Sequence, residues 1–189
     1  TTAEPLHRVF SDEQLSIYTF PLRHSLPTTG FKIEAQVGLR GLRPDALAAW
    51  NVPTCDYRTV QLGRDWTNED GQVVPNSELT RDPARPLAYA YASDTAYLPE
   101  LPAWIQGVDA LYHESTFAEE HRVLAQKTLH STAVDAAKIA AEAGVGQLLL
   151  GHFSIRYRDR SVLLHEALPF FEQTLLAEEG KTYRWMRKK

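Results

Sequence analysis

Between Thr132 and Leu150 the sequence permits few alternatives. Thr132 and Asp135 stand three apart at the head of an alanine-rich run, the spacing at which a hydroxyl and a carboxylate cap a helix reciprocally. Gly144 is suited to the left-handed residue that closes such a helix. Small residues at 136, 137, 140 and 141 let the helix lie close against a sheet. An apolar strand, Gln147 to Leu150, then delivers Gly151-His152-Phe153-Ser154 at its carboxyl end. Helix followed closely by apolar strand is the repeating unit of an α/β layer. In open sheets of that kind, chemistry gathers outside the carboxyl ends of the strands. His130 before the helix, with His152 and Arg156 after the strand, marks this end as a site.

The rest of the chain extends the pattern. Arg8–Phe10 and Leu15–Phe20 predict two strands joined by a Ser11-Asp12-Glu13 turn. A proline-pinned loop carrying His24 follows, and then a half-buried strand on which Phe31, Ile33, Ala35 and Val37 alternate with polar residues. From Gly38 to about Pro86 arginines are scattered among Pro, Gly, Asp and Asn, the composition of an insertion or arm. Within it we expect a helix at Pro44–Trp50, a strand at Tyr57–Leu62 and a turn at Asp70-Gly71. Ala88–Ser93 and Val108–Tyr112 predict strands, with a short helix around Pro99–Gln106 between them and a longer one over Phe117–Lys127. Ser161 is expected to cap a last helix with Val162, Leu163, Ala167 and Phe170 inward, and Thr174–Leu176 with Thr182–Trp185 to close a hairpin. The class is α/β (α+β), helices packed on a mixed sheet.

Composition narrows the function. Hydrophobic residues make up 43% of 189, enough for one domain with a sizeable core. No apolar run approaches the roughly twenty residues of a membrane span, and none resembles a secretory leader. The single cysteine, Cys55, excludes an internal disulfide and suggests a reducing cytoplasm; we expect it semi-buried and inert. A net charge of −4 argues against blanket nucleic-acid binding but allows a local basic patch. The chain opens on Thr1-Thr2-Ala3 without methionine and reads as a piece of something longer.

Three potential metal ligands fall at strand ends or adjoining loops: His24, Asp94 and His152. Imidazole with carboxylate suits zinc or manganese at hydrolytic centres. Each also has a plainer reading, since a loop histidine is often solvated and an aspartate in Ser-Asp-Thr often caps a turn. His130 fits a ligand, a general acid or a neighbour of the cap. Glu114 could orient His130 through a hydrogen bond. His113-Glu114 has no histidine at zincin spacing, because position 117 is Phe. His121 and His165 fall on expected helix surfaces. There is no G-x-S-x-G element and no phosphate-cradling glycine loop.

The order of H…G-F-x-I-E, Y-A-S-D-T, D-A-L-Y-H-E-S-T-F, H-S-T-A and G-H-F-S-x-R-Y resembles ribonuclease Z from about Val9 to Trp185. That family comprises zinc phosphodiesterases of the metallo-β-lactamase superfamily that remove 3′ trailers from precursor transfer RNA. Val52–Gly63 and Asp70–Thr80 look similar to members of the Bacteroidetes type. The resemblance implies the carboxyl-terminal part of an αββα sandwich, with residues 38–86 as a basic RNA-gripping arm. It implies His24 on one zinc, His152 on the other and Asp94 bridging both. His130, held by Glu114, would assist the leaving oxygen, Arg156 would meet the RNA, and the assembly would be a cytoplasmic homodimer. Leu129 stands where the family usually has glycine and Ser115 where it often has alanine. The H-x-H-x-D-H signature, source of further zinc ligands, is absent from these residues. Weak or no activity of the chain alone is therefore expected. Two alternatives stay open: a non-catalytic RNA-binding fragment, and another hydrolase of this fold acting on small phosphodiesters or esters.

Overall fold

A computed structural model describes residues 6–185; the opening Thr1-Thr2-Ala3 lies outside them. The chain forms two compact units, one of residues up to Ala35 with those from Leu87 onward, the other of Gln36–Pro86.

The first unit begins with β1 (His7–Ser11), β2 (Leu15–Leu22) and β3 (Thr28–Ala35), an antiparallel meander. Its first turn is held by Asp12, whose Oδ1 accepts the N–H groups of Gln14 (2.8 Å) and Leu15 (2.9 Å). Phe20 sits opposite Gly30 and its ring lies where any Cβ on that glycine would be, 2.1 Å from the nearest ring atom. Glycine there lets a buried aromatic side chain fold flat over the neighbouring strand.

Gln36–Pro86 has its own small core of Leu47, Val52, Val60, Val74 and Leu79. Its elements are β4 (Gly41–Leu42), α1 (Pro44–Ala49), α2 (Tyr57–Gln61), β5 (Trp66–Thr67), β6 (Val73–Val74), α3 (Asn76–Leu79) and β7 (Thr80–Arg81). The strand expected at Tyr57–Leu62 is helix α2. Val60 is buried and Tyr57, three residues before it, packs on the same core, so helical spacing overrode the β propensity of Thr59 and Val60. Buried Asn76 ties the unit together, its amide donating to the carbonyls of Val60 (2.7 Å) and Arg64 (2.8 Å). The expected turn joins β5 to β6, with Gly71 at φ +79°. The basic character expected of this arm does not survive a count. Its arginines, Arg40, Arg43, Arg58, Arg64, Arg81 and Arg85, are outnumbered by Asp45, Asp56, Asp65, Glu69, Asp70, Glu78 and Asp82. Cys55 is exposed rather than semi-buried.

The chain returns to the first unit in β8 (Ala88–Ala92), α4 (Leu101–Trp104), β9 (Ala110–Glu114), α5 (Arg122–Thr128), α6 (Ala133–Ala143), β10 (Leu148–Gly151), α7 (Ser161–Ala167) and β11 (Thr174–Leu176). One seven-stranded sheet results, in the order β1-β2-β3-β8-β9-β10-β11, antiparallel up to β8 and parallel beyond it. Helix α6 is central, packed against α4, α7, β9 and β10. Its capping box is formed, with Asp135 N–H donating to Thr132 Oγ1 (3.2 Å) and Thr132 N–H to Asp135 Oδ2 (3.1 Å). Ala136, Ala137 and Ala140 are buried as expected, whereas Ala141 is exposed. With Ile139, Leu111, Leu148 and Leu150 they make the main core; each buried leucine or isoleucine contributes about 1.5–3 kcal/mol of transfer free energy.

The carboxyl-terminal expectations hold less well. Ser161 is the first helical residue rather than the cap, and its N–H is taken by Asp159 Oδ1 (2.9 Å). Leu163 and Ala167 are buried, but Val162 and Phe170 are exposed. Thr182–Trp185 forms no strand. Tyr183 donates to the carbonyl of Leu176 (2.7 Å) and Trp185 stacks on Tyr89, so side chains anchor this segment in place of a ladder. Among the described residues no helix is long and apolar enough to cross a membrane.

Candidate active site

The parallel strands β8, β9 and β10 end side by side, and the residues just beyond them meet the turn between α5 and α6. Three non-glycine residues there have left-handed backbones: Asp94 (φ 57°), Leu129 (φ 58°) and His152 (φ 56°). Such conformations cost free energy and persist where surrounding contacts over-determine them. Leu129 closes α5 in this conformation, which accounts physically for a position where glycine would be easier. Before His152, Gly151 leaves no room for a side chain, since a Cβ would stand 2.1 Å from Tyr112 Oη.

Glu114, at the end of β9, is fully buried and organises the site. Its Oε1 accepts the Thr95 N–H (2.5 Å), and its Oε2 accepts the Ser131 N–H (3.0 Å) and the Thr116 hydroxyl (2.6 Å). His130 Nδ1–H reaches the same carboxylate at 2.9 and 3.1 Å. Burial alone would raise the Glu114 pKa. The hydrogen bonds of His130, Thr116 and Ser131 outweigh it and hold the carboxyl below its ordinary value. His130 moves the other way, raised above the ordinary imidazole value by its bond to Glu114 against a partial burial that lowers it.

Thr116 carries the arrangement on to His152. Its Oγ1 lies 2.9 Å from His152 Nδ1; with the hydroxyl proton given to Glu114, that nitrogen is the donor. His152 Nε2 pairs with Asp94 Oδ1 at 3.0 Å; in the neutral ring this nitrogen would offer its lone pair to a cation at the same place. Two donors about 2.0–2.1 Å from one zinc ion stand roughly 3 Å apart when they are neighbours in its coordination shell. Asp94 and His152 therefore fit a shared divalent cation. Glu114 belongs to the same group of potential ligands, all within 4.8 Å of one another with His130, but its oxygens are already taken by four donating groups. His24 completes the row: its Nδ1 donates to the Leu129 carbonyl (3.1 Å), and its ring lies 4.9 Å from that of His130, which in turn stacks 5.3 Å from His152.

Folding thus brings His24, Asp94, Glu114, His130 and His152 together from five separate segments. Arg156 is exposed beyond β10, its backbone N–H on Ser154 Oγ (3.4 Å), and makes no ion pair among the described residues. Arg158 and Arg160 follow it, also exposed. His113 is excluded from the site: it is buried, burial lowers its pKa, and its Nε2 has no partner among the described residues. His121 bonds Tyr157 Oη (2.9 Å) away from the row. Sequence reasoning missed Thr116, Thr95 and Ser131, whose hydroxyls and N–H groups knit the three loops together. Short polar residues near a strand end carry no signal that separates this role from an ordinary turn.

No family model matches the chain. Three relatives named ribonuclease Z are similar over nearly all of it. That of Phocaeicola vulgatus is 45% identical over 171 residues, 90% of this chain and 55% of its own length. That of Porphyromonas gingivalis is 43% identical over 90% of this chain and 56% of its length. That of Bacteroides thetaiotaomicron is 43% identical over 95% and 56%. The chain spans about half the length of the curated relatives it matches. Among solved structures, a metallo-β-lactamase fold protein of Bacillus subtilis aligns with a TM-score of 0.60 at 17% identity, covering 94% of this chain and 52% of that one. The short form of human tRNase Z aligns with a TM-score of 0.53 at 19% identity, covering 94% and 46%. The fold is that of the metallo-β-lactamase proteins, and in sequence the chain is homologous to about half of ribonuclease Z.

Proposed function

We propose that this chain, as a homologue of about half of ribonuclease Z, contributes one side of a zinc-dependent endoribonuclease centre that removes the 3′ trailer of precursor transfer RNA by phosphodiester hydrolysis. The observation that carries the reading is the pairing of two devices at one sheet end: Asp94 beside His152 at 3.0 Å, and His130 held on a buried carboxylate. His24, Asp94 and His152 would hold the metal. Zinc, when bound, supplies activation of water at neutral pH and neutralisation of charge at the phosphoryl group. His130, whose hold on a proton is strengthened by Glu114, gives its proton to the departing 3′-oxygen and leaves a 3′-hydroxyl on the transfer RNA. Arg156, with no carboxylate partner among the described residues, steadies charge on the phosphate as the bond breaks. Arginines of Gln36–Pro86 would hold the transfer RNA as separate cations, since that unit has no net positive charge. A cytoplasmic homodimer is the assembly proposed with this activity, on the family likeness.

His24, Asp94 and His152 give at most one or two protein ligands per metal, whereas zinc centres ordinarily have three or more. This observation favours, as the second reading, a chain that by itself binds RNA without cutting it efficiently. A gel assay of the purified 189 residues on a precursor transfer RNA separates the cases. We expect binding with weak cleavage that EDTA abolishes and His130→Ala reduces at least tenfold. Efficient EDTA-sensitive cleavage would show that these ligands suffice. Cleavage of a chromogenic phosphodiester without any binding of precursor RNA would overturn the substrate assignment.

A further inference from the structure

Beside His130 the structure has a cavity of about 390 Å³ whose walls include Arg23, Tyr97, Arg122, Gln126, Leu129, His130 and the carboxylate of Asp135, which Arg122 neutralises, within the size range of small-ligand sites. Its walls differ in their freedom. Arg122 is committed, bonded to Glu119 and to Asp135 (2.9 Å), and is no receptor for an external anion. Arg23 is exposed, and its guanidinium has no carboxylate partner among the described residues. Tyr97 is 36% exposed and brings an aromatic ring to the wall. Gln126 offers an amide that can donate and accept.

The two free side chains stand on a fixed frame. Arg23 N–H donates to Thr95 Oγ1 (3.1 Å), Ala96 N–H donates to the Arg23 carbonyl (2.8 Å), and Ser131 Oγ donates to the Thr95 carbonyl (2.7 Å). The loops that carry Arg23 and Tyr97 are thereby tied to each other and to the start of α6. An unpaired guanidinium, an exposed aromatic ring and an amide around one cavity form the donor set that receives a nucleotide. The ring stacks on the base, the guanidinium meets the phosphate and the amide reaches the base edge.

We propose that this cavity seats the nucleotide on the 5′ side of the cleaved bond, with Tyr97 against its base and Arg23 on its 5′-phosphate. The assignment rests on the phosphodiesterase reading above. If His130 protonates the departing 3′-oxygen, the nucleotide that carries this oxygen lies on His130's side of the phosphate, and His130 is one of the walls of the cavity. Arg23 and Tyr97 are binding residues here, and the step itself stays with His130.

The test uses fluorescence anisotropy with the full chain and two seven-nucleotide single-stranded RNAs that span a cleavage point. One is intact and the other is abasic at the position 5′ to the scissile phosphate. Tyr97→Ala should weaken the intact RNA about tenfold, the scale of one lost base stack, and leave the abasic RNA unchanged. Arg23→Gln should weaken both, with Arg23→Lys recovering part of the loss. Both sites are exposed, so melting temperatures should stay at the wild-type value. If the wild-type chain binds the RNA and neither variant changes its affinity, or if Tyr97→Ala weakens both RNAs equally, the cavity assignment is wrong and the underlying reading stands. If the wild-type chain binds neither the heptamers nor precursor transfer RNA, the underlying reading fails and the assignment with it.

Discussion

At Glu114 a charge sits where water does not reach it, and it is held there by the N–H groups of Thr95 and Ser131, the hydroxyl of Thr116 and the imidazole of His130. Removing one member of such a group strands the others, which makes truncation costlier than the net worth of the bonds. Glu114→Ala is expected to destabilise the chain by about 3–5 kcal/mol in urea denaturation; a loss below about 1 kcal/mol would mean that the donors find other partners. Glu114→Gln keeps the shape and removes the charge, so the His130 pKa should fall back toward its ordinary value, readable from the imidazole proton in an NMR titration. The sign of the linkage follows from the two directions. Glu114 is held low, so its contribution to stability is present above its ordinary value of 4.5 and lost as pH falls through its folded value. His130 is held high, so its contribution is full below 6.5 and lost as pH rises through its folded value. In EDTA the pair should therefore stabilise most between about 4.5 and 6.5, and the decline above that window should flatten in Glu114→Gln.

Helix α6 and strand β10 show how much of the site depends on its supporting elements. The capping box at Thr132 sets where α6 begins, directly after His130 and Ser131, so the cap positions two members of the site. Thr132→Ala should cost about 1 kcal/mol, within a range of roughly 0.5–2, measured as a lower Tm with His130 less firmly placed. Strand β10 ends in Gly151, against which Tyr112 packs. Gly151→Ala forces the tyrosine ring or the strand to move, at about 1–3 kcal/mol for an overpacked position. Affinity for the proposed zinc should fall with it, because His152 is the next residue. Retained affinity measured by calorimetry would show that the loop adjusts independently of the strand. The α6–β10 passage was legible because cap spacing, alanine content and an apolar run agree on one local structure. Tyr57–Leu62 and Thr182–Trp185 were misread because short β-prone runs acquire their conformation from the surface they pack on, Val60 in the small core and Trp185 on Tyr89.

For the molecule as a whole, Gln36–Pro86 leaves and rejoins the sheet at one place: Ala35 N–H donates to the Leu87 carbonyl (2.8 Å), and Glu34 pairs with Ala88. Replacing residues 36–86 by a two-residue Asn-Gly turn should leave a folded sheet unit with unchanged zinc binding, while affinity for precursor transfer RNA drops at least tenfold. Unchanged RNA affinity would remove the arm from the proposed function. The sequence alone determined the α/β class, the presence of most strands and helices of the sheet unit, the inserted character of the middle region and the residues worth suspecting, since each of these is written in spacing over a few neighbours. Tertiary structure decided which of the suspects meet. It separated Asp94 and His152, whose ligand atoms face each other 3.0 Å apart, from Glu114, whose oxygens are occupied by four donors, and it removed His113 into the core. It also showed a cavity between Arg23 and Tyr97 that no local pattern announces. These are facts of distance between segments up to 128 residues apart, His24 to His152, and only the closing of the sheet fixes them.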